Sequence, residues 1–327
     1  DGELKYNFVM QNENNNGVIE RVPEQIGNYF NLIPGNSISA FTHLNKVYYQ
    51  EEPFYSKQGS NIYTLRSYFL NKKLAKFIIS AINSIIGNLE YGKNTASRLI
   101  KYKIQLPTKN GKIDFEFMES FIAELEAERT AELEAYLLAT GLKDYTLTAE
   151  EQKVLDDFDN LNWGAFNLEK LFGKSTRGKR LKSADRISGD LPFVTAGETD
   201  EGISAFIGND VNVFSENTIT IDMFGSAKYR NYKYGGDDHI AVVHTESLPK
   251  HASIFVTTAI HKSSYNGQFN YGRNFYAKDA DVLNISLPVK QQEPDYEIME
   301  TFISAIQKLV IKEVVLFVDR KRTSKFI

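Results

Sequence analysis

An internal repeat constrains this chain more than any other feature of its sequence. Residues 114–125, Asp-Phe-Glu-Phe-Met-Glu-Ser-Phe-Ile-Ala-Glu-Leu, return near the C-terminus as residues 295–306, Asp-Tyr-Glu-Ile-Met-Glu-Thr-Phe-Ile-Ser-Ala-Ile. Met118 corresponds to Met299, at a separation of 181 positions that the other matched residues share. A constant separation in a chain of 327 residues indicates a duplication, so two similar units are expected.

Shorter matches extend the duplication over most of the chain. Their separations stay between 178 and 185 positions, so insertions between the copies are small. The first unit has no counterpart of residues 161–185. Its opening is expected to come either from residues that precede Asp1 in a longer chain or from another chain. The matched pairs are Tyr91-Gly92 with Tyr271-Gly272, Ala81-Ile82 with Ala259-Ile260, Asn36–Ser39 with Asn217–Thr220, and Gly17 with Gly202.

The pattern of apolar residues assigns helices and strands to each unit. A helix is predicted over residues 72–86 and another over 253–262, because apolar side chains recur there at helical spacing. Gly141 is placed to end the long central helix, and Thr148 and Glu151 have the spacing of a capping box for the next one. Strands are predicted at 36–39, 46–49, 203–207, 218–222, 228–234 and 239–244, with others ending at Leu106-Pro107 and Leu287-Pro288.

These elements predict an α+β fold on a chain long enough for two domains. Two similar mixed α/β domains are expected, separated by long antiparallel helices that resemble a coiled coil. The predicted segments are a first domain at 1–112, a central helical spacer at 113–160, a second domain at 161–293 and a distal spacer helix at 294–327.

The two long helices are expected to act as spacers and as docking surfaces for partners. No glycine or proline interrupts residues 113–139, so one helix of about 40 Å fits there at about 1.5 Å per residue. The same apolar face recurs in both helices at i, i+3, i+4 and i+7. Two ordinary amphipathic core helices are the simpler interpretation. The residues of the two faces are Met118, Phe121, Ile122, Leu125, Met299, Phe302, Ile303 and Ile306.

Charge is segregated along the chain although the formal net charge is only −4. Residues 170–186 carry seven basic side chains and one acidic side chain, whereas residues 114–159 carry fourteen acidic and three basic ones. The net charge disfavours a uniformly basic nucleic-acid binder. A local basic patch and a separate acidic helical segment instead indicate two different partners. Two solvated surfaces would have the same composition.

The sequence contains no convincing catalytic or metal site. It has no cysteine, which excludes disulfides and thiolate metal sites, and its five histidines lack the spacing of a zinc site. No glycine-rich nucleotide loop occurs, and the nuclease-like triplets Glu3-Leu-Lys5 and Glu151-Gln-Lys153 are short enough to arise by chance. The sequence contains no run of about 18 apolar residues, so it predicts no transmembrane helix. We expect a cytoplasmic protein that makes no membrane contact.

Polar and aromatic stretches of the second unit are candidates for nucleic-acid contacts. Residues 228–234, Lys-Tyr-Arg-Asn-Tyr-Lys-Tyr, alternate side chains that on a strand point to opposite faces. Arg and Asn suit base edges, and Lys suits phosphate. A half-buried edge strand and an ordinary polar loop are the structural alternatives. The candidates are Lys174, Arg177, Lys179, Arg180, Lys228, Tyr229, Arg230, Asn231, Gln268, Tyr271 and Arg273 in the second unit, and Tyr48, Tyr91 and Lys93 in the first.

The order of these motifs resembles the target recognition domain of type I restriction-modification specificity subunits. The first unit resembles a second such domain without its opening, and the two long helices look like the conserved spacer regions of that family. The resemblance covers essentially the whole chain, and its specificity comes from the order of the motifs, found twice. It rests on Trp163, Phe166, Leu171-Phe172, Gly178–Leu181, Pro192–Gly197, Gly202-Ile203, Asn217–Thr220, Tyr271-Gly272 and Leu287-Pro288.

This resemblance implies a non-catalytic subunit that gives a larger complex its DNA sequence specificity. Each domain would read one half of a bipartite site in double-stranded DNA, while the helices set the spacing and dock two modification subunits. Those subunits, not this chain, would carry S-adenosylmethionine and methylate adenine, and a restriction subunit is a further expected partner. The alternatives are the specificity portion of a fused restriction-methylation enzyme, a nuclease in its own right, and a protein-interaction scaffold.

Overall fold

The structure of the protein, a computed structural model, divides the chain into two units. It describes residues 3–24, 30–57, 59–87 and 96–323, and the two units comprise residues 1–135 and 136–327. The division falls inside a helix and differs from the four segments predicted from the sequence. Each unit combines small β-sheets with helices, which confirms the predicted α+β class. The antiparallel pairing of the two long helices stays a prediction.

The first unit contains nine strands and the beginning of a long helix within its described residues. Its elements are β1 (Tyr6–Val9), β2 (Val18–Val22), β3 (Phe30–Ile33), β4 (Ser37–Phe41), β5 (Lys46–Gln50), β6 (Phe54–Lys57), β7 (Ile62–Leu65), α1 (Lys72–Ile86), α2 (Ala96–Leu99), β8 (Thr108–Lys109), β9 (Lys112–Ile113) and α3 (Phe115–Ala139), whose last four residues belong to the second unit.

The second unit contains the same kinds of element as the first, has more of them among the described residues, and ends in a long helix. Its elements are α4 (Ala149–Asp156), β10 (Trp163–Asn167), α5 (Leu168–Phe172), β11 (Thr176–Arg177), β12 (Ser188–Val194), β13 (Ile203–Ile207), β14 (Val213–Phe214), β15 (Thr218–Ile221), β16 (Ala227–Arg230), β17 (Tyr234–Gly236), β18 (Ala241–Val243), α6 (Lys250–Ser264), α7 (Ala277–Asp281), β19 (Asn284–Lys290), β20 (Glu293–Pro294) and α8 (Tyr296–Thr323).

The sheets of the two units share one topology. The first unit has a sheet in the order β2-β1-β6-β3, and the second has β13-β12-β17-β14. β1 and β12 occupy equivalent positions. β1 pairs antiparallel with β2 and parallel with β6, and β12 pairs antiparallel with β13 and parallel with β17. A second sheet, β5-β4-β7, corresponds to β16-β15-β18, to which the second unit adds β11. The duplication seen in the sequence is therefore a duplication of strand topology.

A tight turn before β2 and β13 fixes the register of the repeat. Gly17 and Gly202 have φ of +82° and +81°, a conformation that residues with a Cβ rarely adopt. A Cβ on Gly17 would lie 2.3 Å from the Phe41 ring, and one on Gly202 would lie 2.6 Å from the carbonyl oxygen of Thr195. The correspondence of these two glycines, predicted from a separation of 185 positions, is confirmed.

The long helices pack into the cores of their own units. Met118 of α3 is fully buried in the first core with Leu74 and Ile78 of α1. Met299 of α8 is fully buried in the second core with Phe255 of α6. Burying a side chain of this size contributes about 1.5–3 kcal/mol, so each helix is a structural part of its unit.

Several sequence-based assignments are confirmed and others are wrong. The α1 range is as predicted, Gly141 has the positive φ of a helix-ending residue, and the capping box at Thr148 is formed. The strand predicted at 228–234 is two strands, because β16 ends at Arg230 and β17 starts at Tyr234. The strand predicted to end at Leu106-Pro107 is not formed, since residues 102–107 have no strand structure. Its counterpart β19 is formed and continues beyond Pro288 to Lys290.

A buried carboxylate joins α4 to α8 in the second unit. Glu151 is only 5% exposed, and its carboxylate accepts hydrogen bonds from the Thr148 amide (2.8 Å), the Ser304 hydroxyl (2.6 Å) and the Lys308 ammonium (2.9 Å). Burial alone raises the pKa of the Glu151 carboxyl, but the bonds from Ser304, Thr148 and Lys308 outweigh burial and hold the pKa below its usual range.

This arrangement predicts a loss of stability in acid. A carboxyl with a lowered folded-state pKa stabilises the protein above its unfolded-state pKa of about 4.5, and that stabilisation disappears as the pH falls further. We expect Glu151→Gln to lower the melting temperature of the second unit at pH 7 but much less near pH 3. Melting curves of both proteins at the two pH values measure this, and an equal difference at both would contradict it.

Candidate nucleic-acid interface

The basic block, residues 174–182, is fastened to the second unit by its backbone. β11 pairs with β18, and the amides of Gly178 and Lys179 donate to the carbonyl oxygens of Ile240 (3.3 Å) and Gly236 (2.9 Å). These bonds use main-chain groups and leave cationic side chains exposed. Exposed cations on a fixed backbone are suited to phosphate contacts. The exposed members are Lys174, Arg177, Lys179, Arg180 and Lys182.

The basic block approaches β17 so closely that a side chain at one position would not fit. A Cβ on Gly178 would lie 1.9 Å from the carbonyl oxygen of Gly236. A cavity of about 410 Å³ opens beside this contact, and it brings in residues about 30 positions away in sequence that sequence reasoning missed. Its lining consists of Lys179, Arg180, Leu181, Asp210, Val211, Asn212 and Gly236.

An acidic turn lies next to the basic block. Asp237, Asp238 and His239 offer three possible metal-ligand atoms within 4.8 Å of one another. Burial raises the pKa of the Asp237 carboxyl, and the charge of Asp238 adds to that effect. The spacing of histidines in the sequence does not reveal this group, because two of its three members are carboxylates. Acidic groups of this kind are common without an ion, and we assign no metal to it.

Three loops of the second unit meet at one end of its sheets. The amide of Gly197 donates to the Asp222 carboxylate (3.4 Å), which links the loop after β12 to the loop after β15. The amide of Phe275 donates to the carbonyl oxygen of Met223 (2.9 Å), which links that second loop to the one after α6. The polar-aromatic stretch at 265–273 is therefore held against the loop that precedes β16.

The side chains of the loop after α6 differ in how far they are free to contact DNA. Tyr271 is 85% exposed and touches Phe224 edge-to-face, with ring centroids 5.2 Å apart. Gln268 is also exposed. Arg273 forms an ion pair with Asp279 (2.5 Å) and also covers the Phe269 ring. Tyr271 is therefore available to a ligand, whereas Arg273 has an intramolecular ion pair and the Gln268 side chain donates to the carbonyl oxygen of Ser263 (3.4 Å).

The prediction that Arg230 contacts a base is contradicted by its burial. Its side chain is 1% exposed, and it donates to the Thr220 hydroxyl (2.9 Å), the Tyr232 hydroxyl (2.9 Å) and the carbonyl oxygen of Glu201 (2.8 Å). A buried guanidinium needs such partners, and these use its donors within the domain. Arg230 therefore joins β16, β15 and the tight turn before β13.

The first unit places a glutamine at the position of Arg230. The Gln50 side chain donates to the Ser39 hydroxyl (2.9 Å) and to the carbonyl oxygen of Asn16 (2.9 Å). Ser39 and Asn16 are the counterparts of Thr220 and Glu201 in the strand and turn of the repeat. Two different polar residues thus make the same inward connection, which supports a structural role for both.

Tyr229 also has a structural partner. Its hydroxyl donates to the Asn217 side chain (3.0 Å), as the Tyr49 hydroxyl donates to Asn36 (2.9 Å) in the first unit. Burial raises the pKa of the Tyr229 hydroxyl and, in the first unit, the pKa of the Tyr48 hydroxyl. The Tyr48 hydroxyl donates to the carbonyl oxygen of Glu13 (3.4 Å), so Tyr229 and Tyr48, both predicted to contact DNA, each have a partner within their own unit.

The remaining candidates have different surroundings. The Lys228 ammonium donates to the Glu198 carboxylate (3.2 Å) and to the Ser226 hydroxyl (2.9 Å), and its side chain is 15% exposed. Asn231 follows β16 and is exposed. Tyr91 and Lys93 lie outside the described residues.

Most of the predicted docking residues of the long helices are needed for internal packing. Met118, Ile122 and Met299 are buried, so their assignment to a partner surface is wrong. Phe302 is half-buried and stacks on Phe158, with ring centroids 4.2 Å apart. Phe121 remains 46% exposed. Ile303 and Ile306 are half-buried, and Leu125 is exposed.

The division into two similar units coincides with a match to a known family. A family model for the type I restriction modification DNA specificity domain matches residues 2–135 and 160–316. The chain belongs to this family. Each unit therefore corresponds to one DNA specificity domain, and the chain has a DNA sequence-specificity role in restriction-modification rather than a catalytic one.

Two similar proteins extend the comparison over nearly the whole chain. The specificity subunit S.BcgI of the type II restriction enzyme BgcI, from Heyndrickxia coagulans, is 24% identical over 322 residues, which is 93% of this chain and 90% of that protein. The crystal structure of the type I restriction-modification S subunit from M. genitalium has a TM-score of 0.57 at 16% identity, covering 99% of this chain and 86% of that one. The second comparison shows a shared fold for the specificity domains.

Among the described residues, no helix combines the length and the apolar character needed to cross a bilayer.

Proposed function

We propose that this chain is the specificity subunit of a restriction-modification complex and that each unit reads one half of a bipartite DNA site. The observation that carries this proposal is the family match, which occurs once in each unit. Two specificity domains of different sequence on one chain would give two different half-sites. We expect the complex to work in the cytoplasm.

The basic block of the second unit would hold the DNA backbone. Lys174, Arg177, Lys179 and Arg180 are exposed, and the backbone that carries them is hydrogen-bonded to β17 and β18. Contacts between such cations and phosphates fix the position of a protein on the duplex without selecting a sequence. The block therefore accounts for affinity, and other side chains must account for specificity.

Exposed polar side chains would read the bases. Asn231, Gln268 and Tyr271 are exposed on the strand end and on the loop after α6. Asn and Gln are suited to bidentate contacts with adenine, and each good contact of this kind discriminates by about 1–3 kcal/mol. We place these three residues at the base-reading surface in preference to the buried Arg230.

The long helices would separate the half-sites and dock the partner subunits. In this proposal two modification subunits carry S-adenosylmethionine and methylate adenine, and restriction subunits join in a complete system. This chain itself would bind no cofactor. The similarity to S.BcgI spans 90% of a protein that is named as a separate specificity subunit, which favours a separate subunit over the specificity portion of a fused enzyme.

Salt dependence of binding tests the role of the basic block. We expect Lys179→Ala with Arg180→Ala to weaken binding to all DNA sequences alike. The slope of log K against log salt should fall by roughly one unit for each lost contact, since fewer counterions are released. Binding titrations with specific and unrelated duplexes at several salt concentrations measure both quantities.

A matched control removes the same charge elsewhere. Lys290 and Lys312 are exposed, lie on β19 and α8, and are not part of the basic block. Their replacement by alanine should leave the slope unchanged. A protein-interaction scaffold would show no salt-dependent DNA binding in any variant, and equal slopes for both double mutants would contradict the phosphate contacts.

A further inference from the structure

A short loop of the second unit forms part of the cleft beside the basic block. Residues 208–212 connect β13 to β14. The Asn209 side chain accepts from the amide of Ile187 (2.8 Å) and donates to the carbonyl oxygen of Asp185 (2.9 Å), and the amide of Gly208 donates to the carbonyl oxygen of Ile187 (2.8 Å). These bonds fix the loop to the chain segment that follows the basic block.

The middle of this loop packs on the sheet. Val211 lies so close to Gly235 of β17 that a Cβ on the glycine would be 3.0 Å from a Val211 methyl group. Asp210 and Asn212, on either side of Val211, are exposed and line the cleft. The backbone of the loop is therefore held in place, while two of its polar side chains remain at the surface of the cleft.

Asp210 and Asn212 have no side-chain partner among the described residues. Neither makes a hydrogen bond or an ion pair, and neither do the side chains of Lys179 and Arg180, which line the same cleft. An ion pair within the protein would occupy the carboxylate, so its acceptor atoms are available to a ligand. A cleft of about 410 Å³ thus offers two cations, one carboxylate and one amide together.

This set of groups matches the chemistry of a nucleotide in double-stranded DNA. Cations contact phosphate, whereas a carboxylate only accepts hydrogen bonds and is repelled by phosphate. The hydrogen-bond donors that base pairs present in the major groove are the exocyclic amino groups of cytosine and adenine. A free phosphate would account for the two cations of the cleft but would be repelled by Asp210.

We propose that Asp210 and Asn212 read one base pair in the half-site of the second unit. Asp210 would accept from the exocyclic amino group of cytosine or adenine, and the Asn212 amide would donate to an acceptor of the same base pair. Lys179 and Arg180 would hold the neighbouring phosphates and offset the repulsion between Asp210 and the DNA backbone. This inference rests on the proposed function and adds a base-reading loop to it.

The test removes single groups from the DNA and from the protein. Methylome sequencing of the complete complex first gives the recognised sequence. Binding is then measured with duplexes that lack one amino group, because purine replaces one adenine or pyrimidin-2-one replaces one cytosine. At one position of the half-site, we expect the original complex to bind such a duplex about fivefold to a hundredfold more weakly, which is the usual effect of losing one good base contact.

Asp210→Ala should remove this effect. Without the carboxylate, the amino group has no acceptor in the cleft, so its removal from the duplex should change binding by less than about twofold. Binding to unrelated duplexes should not weaken, in contrast to the effect of Lys179→Ala with Arg180→Ala. Asn212→Ala should weaken binding to the recognised sequence and likewise spare unrelated duplexes.

The matched control removes a carboxylate outside the cleft. Glu216 is exposed and lies between β14 and β15. Glu216→Ala should leave the effect of the missing amino group as it is in the original complex. Melting temperatures of the Asp210→Ala, Asn212→Ala and Glu216→Ala chains should equal that of the original, because none of these side chains makes an intramolecular hydrogen bond among the described residues.

The outcomes separate this inference from the proposed function. Equal losses in the original and Asp210→Ala complexes, at every amino group removed, would overturn the inference and leave the proposed function intact. Equal weakening of recognised and unrelated duplexes by Asp210→Ala and Asn212→Ala would also overturn it, since the loop would then serve non-specific binding. An original complex that binds recognised and unrelated duplexes equally would overturn the proposed function, and the inference with it.

Discussion

Replacement of Arg230 by alanine is expected to destabilise the second unit by about 3–5 kcal/mol. The substitution removes three hydrogen bonds from a charged donor, leaves the buried Thr220 hydroxyl without that donor, and opens a cavity. The chain has a single tryptophan, Trp163, which lies in the second unit, so its fluorescence during urea unfolding reports on this unit. The unfolding midpoint should fall strongly.

Two substitutions separate this structural role from a role in reading DNA. Gln50→Ala removes the corresponding bonds in the first unit and should leave the Trp163 transition unchanged. Asn231→Ala, next to Arg230 but exposed, should leave stability unchanged and relax one position of one half-site. The structural role of Arg230 would be contradicted if Arg230→Ala unfolded at the same urea concentration as the original chain and changed the base preference.

Lengthening α3 is expected to widen the unspecified gap in the DNA site. α3 has 25 residues and is about 38 Å long, which is close to the roughly 34–36 Å between half-sites one DNA turn apart. Duplicating Ala131–Glu134 after Glu134 adds about 6 Å, and each base pair accounts for about 3.4 Å. We expect a gap longer by one or two base pairs while both half-sites keep their bases.

The geometry of the insertion sets the conditions of the experiment. Four residues slightly exceed one turn, so they also rotate the following residues by about 40°. α8 is therefore also lengthened by four residues in a second variant, to preserve packing. The methylated sites are sequenced for each active complex. Four alanines in place of Ala131–Glu134 provide a control of unchanged length. An active insertion variant with the original gap would show that the helices hold the domains without setting the spacing.

The repeat was the part of the fold that sequence could predict best. Two copies of one fold favour glycine at the same positions of positive φ. Gly17 and Gly202 are such a pair, with φ of +82° and +81°. The helix at 72–86 was equally predictable, because the helical spacing of its apolar side chains is a local feature of the sequence.

The roles of the candidate residues could not be predicted in the same way. Alternating side chains along residues 228–234 point to opposite faces of a strand, but the alternation does not say which face is internal. The basic side chain of Arg230 was therefore assigned to the external face. Arg230 points inward because Thr220 and the carbonyl oxygen of Glu201 provide partners there. Those partners come from distant parts of the sequence, so only the folded structure brings them together. The pairing of β10 with β19 has the same origin, since these two strands are distant in sequence.

The central claim is that each of the two units reads one half of a DNA site. Methylome sequencing of cells that carry this chain with its modification subunits tests the claim most directly. The account predicts an adenine-methylated motif of two specified halves separated by a fixed unspecified gap, and Asn231→Ala should alter one half only. A single uninterrupted motif, or methylation that is unchanged when this chain is deleted, would contradict it.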